Sequence, residues 1–286
     1  MEPISIKTKF HNIEGWETGN PQGKTILAFH GWLDNANTFL PLAEHFPDYR
    51  FISLDFPGHG KSSHKPDGTI YHFVEYALEI IAVSQVLGLK DFILLGHSMG
   101  AAICTLVAGL EVLELSHLVL IEALGPMTSE PKKAPEIMKE AISQILHPRG
   151  KKETYFPDWD SAIAIRMRAG DMKKESVEIL MDRGLEKGPK GLRPRRDLRL
   201  HYNSLIRLTE EHVISFCKNI QCPTLLLLGK QSMYPISQIF EERKNAIRNF
   251  KEVLLEGGHH LHLDDPEPIA NEMKKFLSES SNVREQ

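Results

Sequence analysis

Gly96-His97-Ser98-Met99-Gly100 follows directly on the apolar run Phe92-Ile93-Leu94-Leu95 and leads into the small-residue stretch Ala101-Ala102-Ile103-Cys104-Thr105-Leu106. That succession predicts a buried strand, a sharp turn and a helix. In such a turn the two glycines stand where a side chain would collide with a neighbouring strand or helix, and the serine between them is lifted out of the core. The helix starting just after it points its free N–H groups and positive end at whatever the hydroxyl attacks. These residues would suit a nucleophile, with the N–H of Met99 as one donor to a developing oxyanion. The alternative is an ordinary strand–turn–helix junction.

A nucleophilic serine needs a base, an acid to orient it and a second oxyanion donor. Thr25-Ile26-Leu27-Ala28-Phe29 predicts a buried strand ending at His30-Gly31-Trp32-Leu33-Asp34-Asn35, where Gly31 lets the backbone turn and the N–H of Trp32 becomes the second donor. His30 is expected to fix its loop. Arg50–Phe56 forms the next strand, followed by the bend Pro57-Gly58-His59-Gly60-Lys61-Ser62, where His59 is expected to be structural. His117–Ile121 makes a strand with Glu122 at its C-terminal end, the edge at which open parallel sheets bind ligands. A late strand, Glu252–Leu255, runs into Gly257-Gly258-His259-His260-Leu261-His262, which offers the base. Three histidines in four positions invite a metal reading, but the sequence shows no matching carboxylate or cysteine cluster nearby, so neither metal nor cofactor is expected.

The remaining elements must hold these ends together. Residues 4–18 alternate loosely and predict an antiparallel pair of strands, 73–88 carry apolar residues at helical spacing, Thr224–Leu228 is another buried strand, and 267–277 close the chain as a helix with a frayed polar tail from Ser278. From 124 to 212 the texture changes to helix-like pieces punctuated by proline and glycine, without a convincing strand. This predicts a helical cap inserted into a core of residues 1–123 and 213–286. Its 18 Lys and Arg against 14 Asp and Glu make it +4 while the remainder is −8. Arg193, Arg195, Arg196 and Arg199 read as a solvated face that could alternatively meet a substrate anion. Phe156 and Trp159 are candidates for a substrate pocket, with cap core as the other reading.

The bulk composition excludes more than it identifies. With 286 residues, 41% of them apolar, the chain can bury a substantial core, and a net charge of −4 gives no general attraction to nucleic acid or an anionic membrane. The three cysteines form no C-x-x-C pair, the opening residues lack the apolar stretch of a signal peptide, and no run reaches 18 apolar residues. The expectation is a cytoplasmic monomer or homodimer without a transmembrane segment, acting on a small-molecule acyl substrate.

Strands alternating with helices, with a serine turn at one strand end and a late glycine–histidine loop, predict a mostly parallel α/β sheet. The sequence resembles the α/β-hydrolases, through His30-Gly31-Trp32, Asp55 with Gly58-His59-Gly60-Lys61-Ser62, Gly96 to Gly100, and Gly258-His259 ahead of His262 and Pro266. More closely, His30–Ala36, Arg183-Gly184-Leu185 and Arg196–Leu200 are similar to the serine-hydrolase-like branch. The resemblance implies an eight-stranded sheet and acyl transfer through Ser98, with His259 as base. The usual acid position is missing, because Lys230–Pro235 contains no carboxylate. Glu122 is therefore the expected acid, in the chain order Ser98, Glu122, His259, with Asp264, Asp265 and Glu241 as alternatives. The implied activity is that of a carboxylesterase-like serine hydrolase of small esters or thioesters. Peptidase, lipase and carbon–carbon hydrolase chemistry, or a noncatalytic ligand binder on the same fold, stay open.

Overall fold

The structure is a computed structural model that describes residues 1–148, 153–168, 170, 172–232 and 238–281. Eight strands form one sheet: β1 (Glu2–Lys7), β2 (Asn12–Gly19), β3 (Thr25–Phe29), β4 (Arg50–Leu54), β5 (Phe92–His97), β6 (Leu115–Ile121), β9 (Thr224–Gly229) and β10 (Phe250–Leu255). Their order is β1-β2-β4-β3-β5-β6-β9-β10. β2 pairs antiparallel with both β1 and β4, and every pair from β4 to β10 is parallel. The alternation of strand side chains sorts the core into two layers. Leu27, Phe29, Phe92 and Leu94 face one side, and Ile26, Ala28, Ile93 and Leu95 face the other.

The first layer is covered by α2 (Tyr76–Val86), α3 (Met99–Ala108), α7 (Glu210–Asn219) and α8 (Gln238–Ala246). The second is covered by α1 (Leu40–Ala43), α9 (Leu261–Asp264) and α10 (Pro266–Ser281). All the parallel strands end at the same edge, so the loops after β3, β5, β6, β9 and β10 converge there. The closing helix runs to Ser281, longer than the expected 267–277; residues 282–286 of the expected frayed tail lie outside the described residues.

Between β6 and β9 the chain leaves the sheet as α4 (Ala134–Leu146), α5 (Trp159–Arg168) and α6 (Lys174–Gly184). Contrary to the expectation of helices alone, it also contains an antiparallel hairpin, β7 (Leu185–Gly188) and β8 (Gly191–Pro194). Pro189-Lys190 makes its two-residue turn, and Glu186 pairs across it with Arg193 at 2.7 Å and with nearby Arg195 at 3.0 Å. Strands of four residues carry too little alternation to stand out from loop sequence. The boundary expected between 212 and 213 falls inside α7, whose Val213 and Cys217 pack into the core layer over the sheet. Its capping box, with Thr209 accepting from the His212 N–H, fixes the helix start three residues before that boundary.

Two ionic clusters dock the insertion on the sheet. Asp55, fully buried at the end of β4, accepts from the Ala36 and Lys61 N–H groups at 2.7 Å each and from Nε of Arg183 on α6 at 2.9 Å, with Arg183 Nη2 at ion-pair distance, 2.8 Å. Asp197 accepts from the Tyr71 hydroxyl at 2.9 Å and pairs with Arg199, which also donates to the carbonyls of Lys65, Pro66 and Thr69. Arg199 is thus a bridge between insertion and core, not part of a solvated face. Burial of a charged pair leaves each partner dependent on the other.

Candidate active site

Ser98 sits between β5 and α3 with φ 51° and ψ −114°, a conformation that L-residues rarely adopt. The surroundings leave no alternative. A Cβ on Gly96 would lie 2.5 Å from the Ala101 nitrogen, and one on Gly100 would lie 2.1 Å from the Phe29 carbonyl oxygen. Helix and strands can close on each other only without those side chains, and the closure forces the serine outward. The Ser98 N–H is held by the Ile121 carbonyl at 2.8 Å.

The Ser98 hydroxyl reaches His259 Nε2 at 2.9 Å, and His259 Nδ1 reaches Glu122 Oε2 at 3.1 Å. A carboxylate only accepts, so Nδ1 carries the proton and Nε2 presents its lone pair to the serine. Glu122 follows β6, is fully buried and has φ 65°. Its other oxygen accepts from the Gly229 N–H at 2.6 Å, and the Ser232 hydroxyl donates to Oε2. Ser232 was not singled out in the sequence; it lies in the very segment, 230–235, that lacks a carboxylate, and only the fold shows that its hydroxyl meets Glu122. Met233, Tyr234 and Pro235 of that segment lie outside the described residues.

The other candidate acids point elsewhere. Glu241 pairs with Lys244 at 3.0 Å, Asp264 accepts from the Lys173 N–H at 3.0 Å, and Asp265 is exposed. His30 donates from Nδ1 to the Gly31 carbonyl at 2.7 Å and accepts the Phe56 N–H at 2.9 Å, so it ties two loops together. His59 is buried with Nδ1 on the Pro57 carbonyl. His262 is buried behind the site against Thr38 Oγ1 at 2.9 Å, and His260 meets Asp34 Oδ2 at 3.0 Å. His97 donates from Nε2 to the carbonyl of His259 at 2.8 Å and so fixes the loop that carries His259.

Burial pushes His97 well below the usual histidine range, and the imidazoles of His262 and His259 add to the shift. Burial lowers His262 and His59 strongly as well. Burial works to raise Asp34, but His260 and Arg166 beside it outweigh that and hold it well below the ordinary carboxylate value.

A cavity of about 500 Å³ opens at Ser98 and Met99, walled mainly by Tyr71, Phe73, Val74, Met127, Ile206 and Leu208. Trp32 stands at its rim with the indole N–H donating to the Leu200 carbonyl at 3.2 Å. Met99 opens α3, where backbone N–H groups have no intrahelical partner. Phe156 and Trp159 are not among the lining residues. Phe156 packs with Ala162 and Leu185 in the insertion's own small core, while Trp159 begins α5 at the partly exposed surface. The apolar wall comes from the 71–76 segment and from 200–208 instead, stretches joined at one end by the Asp197–Arg199–Tyr71 cluster.

The parallel sheet, the serine turn and the late histidine loop define an α/β hydrolase. The description "alpha/beta hydrolase fold" matches residues 24–146. A probable serine hydrolase of Drosophila melanogaster is 30% identical over 98% of this chain and 88% of its own. A serine hydrolase-like protein of Dictyostelium discoideum is 30% identical over 90% and 76%. Among solved structures, a hypothetical protein of Pseudomonas aeruginosa PAO1 is 37% identical with a TM-score of 0.92, covering 97% of this chain and all of that one. The thioesterase domain of the curacin biosynthetic pathway is 26% identical at a TM-score of 0.80, over 95% and 98%. The chain belongs to the serine hydrolase-like branch of the α/β hydrolases.

Proposed function

We propose that this hydrolase cleaves small carboxylic esters or thioesters through an acyl-enzyme formed on Ser98. The observation that carries this reading is the unbroken hydrogen-bonded line from the Ser98 hydroxyl through His259 to Glu122. Ser98 Oγ attacks the acyl carbonyl carbon while its proton passes to His259 Nε2. Glu122 holds the Nδ1 proton and stabilises the imidazolium that forms. The oxyanion is received by the N–H groups of Trp32 and Met99. Collapse returns the proton to the departing alcohol or thiol, and a water then repeats the sequence on the acyl-enzyme.

The apolar cavity at Ser98 supports an acyl group of modest size, held within the normal range of small-molecule pockets. The curacin thioesterase domain, alike in fold and sequence, supports keeping thioesters beside esters. In this reading the segment 124–212 acts as the lid over the site. No helix among the described residues is long and apolar enough to cross a membrane. Cys104 and Cys217 are buried outside any disulfide, and burial raises the Cys217 thiol to about 11. On this proposal the chain acts as a cytoplasmic monomer or homodimer.

A fluorophosphonate probe should label Ser98 stoichiometrically, and Ser98→Ala should abolish labelling and lower ester turnover by several orders of magnitude. Retention of more than about a tenth of the activity by that variant, set against such losses, would overturn the assignment. Absence of labelling in folded wild-type protein would favour a noncatalytic ligand binder. A matched panel of esters and thioesters with graded acyl chains would then identify the leaving group and chain length.

A further inference from the structure

His97 and Asp34 face each other in an arrangement that hydrogen bonding alone leaves unfinished. The Nε2 of His97 points at the carbonyl oxygen of His259, which can only accept, so that nitrogen carries the proton and Nδ1 is a bare lone pair. Nδ1 is fully buried with no hydrogen-bond partner, and the atom it faces is another acceptor, Asp34 Oδ2, at 4.0 Å. His260 approaches the same Oδ2 with Nε2 at 3.0 Å. All three donor atoms lie within 4.8 Å of one another. Arg166 takes the other oxygen of Asp34 at 3.1 Å, which turns Oδ2 toward the two imidazoles.

The space beside them depends on Gly31. A Cβ there would lie 3.0 Å from His97 Nδ1 and 3.2 Å from Asp34 Oδ2, so the missing side chain keeps that side of the cluster open. Tetrahedral zinc with bonds near 2.0–2.1 Å sets its donors about 3.3 Å apart. The 3.0 Å edge is already there, and inward turns of two side chains supply the others. Two imidazole nitrogens and one carboxylate oxygen suit zinc, whereas calcium and magnesium require mostly oxygen donors.

We propose that Asp34, His97 and His260 form a three-ligand site for a zinc ion, with water as the fourth ligand, placed behind the catalytic loop. On binding, His260 changes tautomer: the proton that Nε2 shares with Asp34 leaves to solvent, solvent returns one to Nδ1, and the ring stays neutral while the freed Nε2 lone pair takes the metal. The His97 N–H on the His259 carbonyl and the Arg166 contact to Asp34 are the outer partners that orient the ligands. Occupancy ties the residue next to the nucleophile, Asp34 after β3 and the residue next to the base into one rigid cluster. It also sets a positive charge near His259, whose ring centre is 4.9 Å from that of His97, and so opposes the imidazolium formed during attack. The ion is therefore expected to slow the reaction. This consequence rests on the hydrolase reading above, whereas binding itself does not.

The test uses the full chain, untagged and cleared of metal with a chelator, titrated with zinc chloride in a calorimeter and with cobalt chloride in a spectrophotometer. One equivalent of zinc should bind with a Kd on the order of micromolar or tighter. Cobalt should give the visible bands of a four-coordinate ion with histidine ligands. His260→Gln and Asp34→Asn should each weaken binding by about tenfold or more. Gly31→Ala, which keeps all three ligands and fills the space beside them, should do the same, and His212→Gln on α7 should leave binding unchanged. Zinc should slow fluorophosphonate labelling of the wild type by about tenfold, through its charge beside His259, and leave His260→Gln unaffected. Absence of a one-equivalent site in folded wild-type protein overturns the proposal. So does binding that survives both His260→Gln and Asp34→Asn but disappears in His259→Gln, because the ion would then sit on the catalytic histidine.

Discussion

Glu122 holds an uncommon backbone angle and three donors at once: the Gly229 N–H, the Ser232 hydroxyl and the His259 ring. On the mechanism proposed above, replacing it with glutamine keeps the shape but removes the charge that would steady the imidazolium, so turnover should fall by about 10²–10⁴ while the fold and the Ser98 label persist. A carboxamide variant that hydrolyses its best ester within a factor of about three of wild type, far from that range, would show that the acid lies elsewhere. Ser232→Ala removes one hydrogen bond from the same carboxylate and should cost kcat about five- to tenfold with little change in KM. The sequence exposes Ser98 and His259 because each is tied to glycines at a fixed offset, a constraint that the local backbone imposes. It exposes Glu122 only by chain order and by the lack of a rival in 230–235. Ser232 and the Asp34–His260 contact join residues 110 and 226 positions from their partners, and no local pattern announces such pairs.

At the scale of elements, the insertion is held by two buried anchors, Arg183 of α6 on Asp55 and Asp197 on Tyr71. Arg183→Ala would strip the fully buried Asp55 of its ionic partner and leave it two backbone N–H groups, and should lower unfolding free energy by about 3–5 kcal/mol. Denaturant unfolding of the purified variant measures this, and an unchanged midpoint would mean that the pair contributes nothing net. The parallel strands β3, β4, β5, β6 and β9 were legible because they are buried on both faces and read as apolar runs. The β7–β8 hairpin was not, since its strands are only four residues long and the residue bridged to it, Phe156 against Leu192, lies far back along the chain. The same pairing explains why Phe156 is core and not pocket wall: its N–H and carbonyl both bond to Leu192, which turns the ring toward Ala162 and Leu185.

The molecule as a whole keeps four buried imidazoles, those of His30, His59, His97 and His262, below their ordinary value of 6.5. Burial is the main cause in each, because it penalises the charged form. The unfolded chain takes up protons on these side chains near pH 6.5, whereas the folded one resists. Their contribution to stability is therefore complete above that pH and is lost as pH falls below it toward the folded values, by up to about 1.4 kcal/mol per pH unit for each histidine. Denaturant midpoints should accordingly drop between pH 7.5 and pH 5.5, before most carboxylates titrate. A midpoint that stays level over this interval would mean that the imidazoles are not buried as neutral groups.

The double anchoring of the insertion has a kinetic meaning for how substrate arrives. A cover locked down by Arg183 on Asp55 and by Asp197 on Tyr71 is not one that swings away when it meets an oil–water boundary, and the cavity already opens past Trp32, Val74, Met127 and Ile206. Rate should therefore rise smoothly with the concentration of dissolved ester and saturate, without the jump at the onset of micelle formation that marks enzymes activated by an interface. Such a jump, measured with an ester series that crosses its solubility limit, would mean that the anchors release.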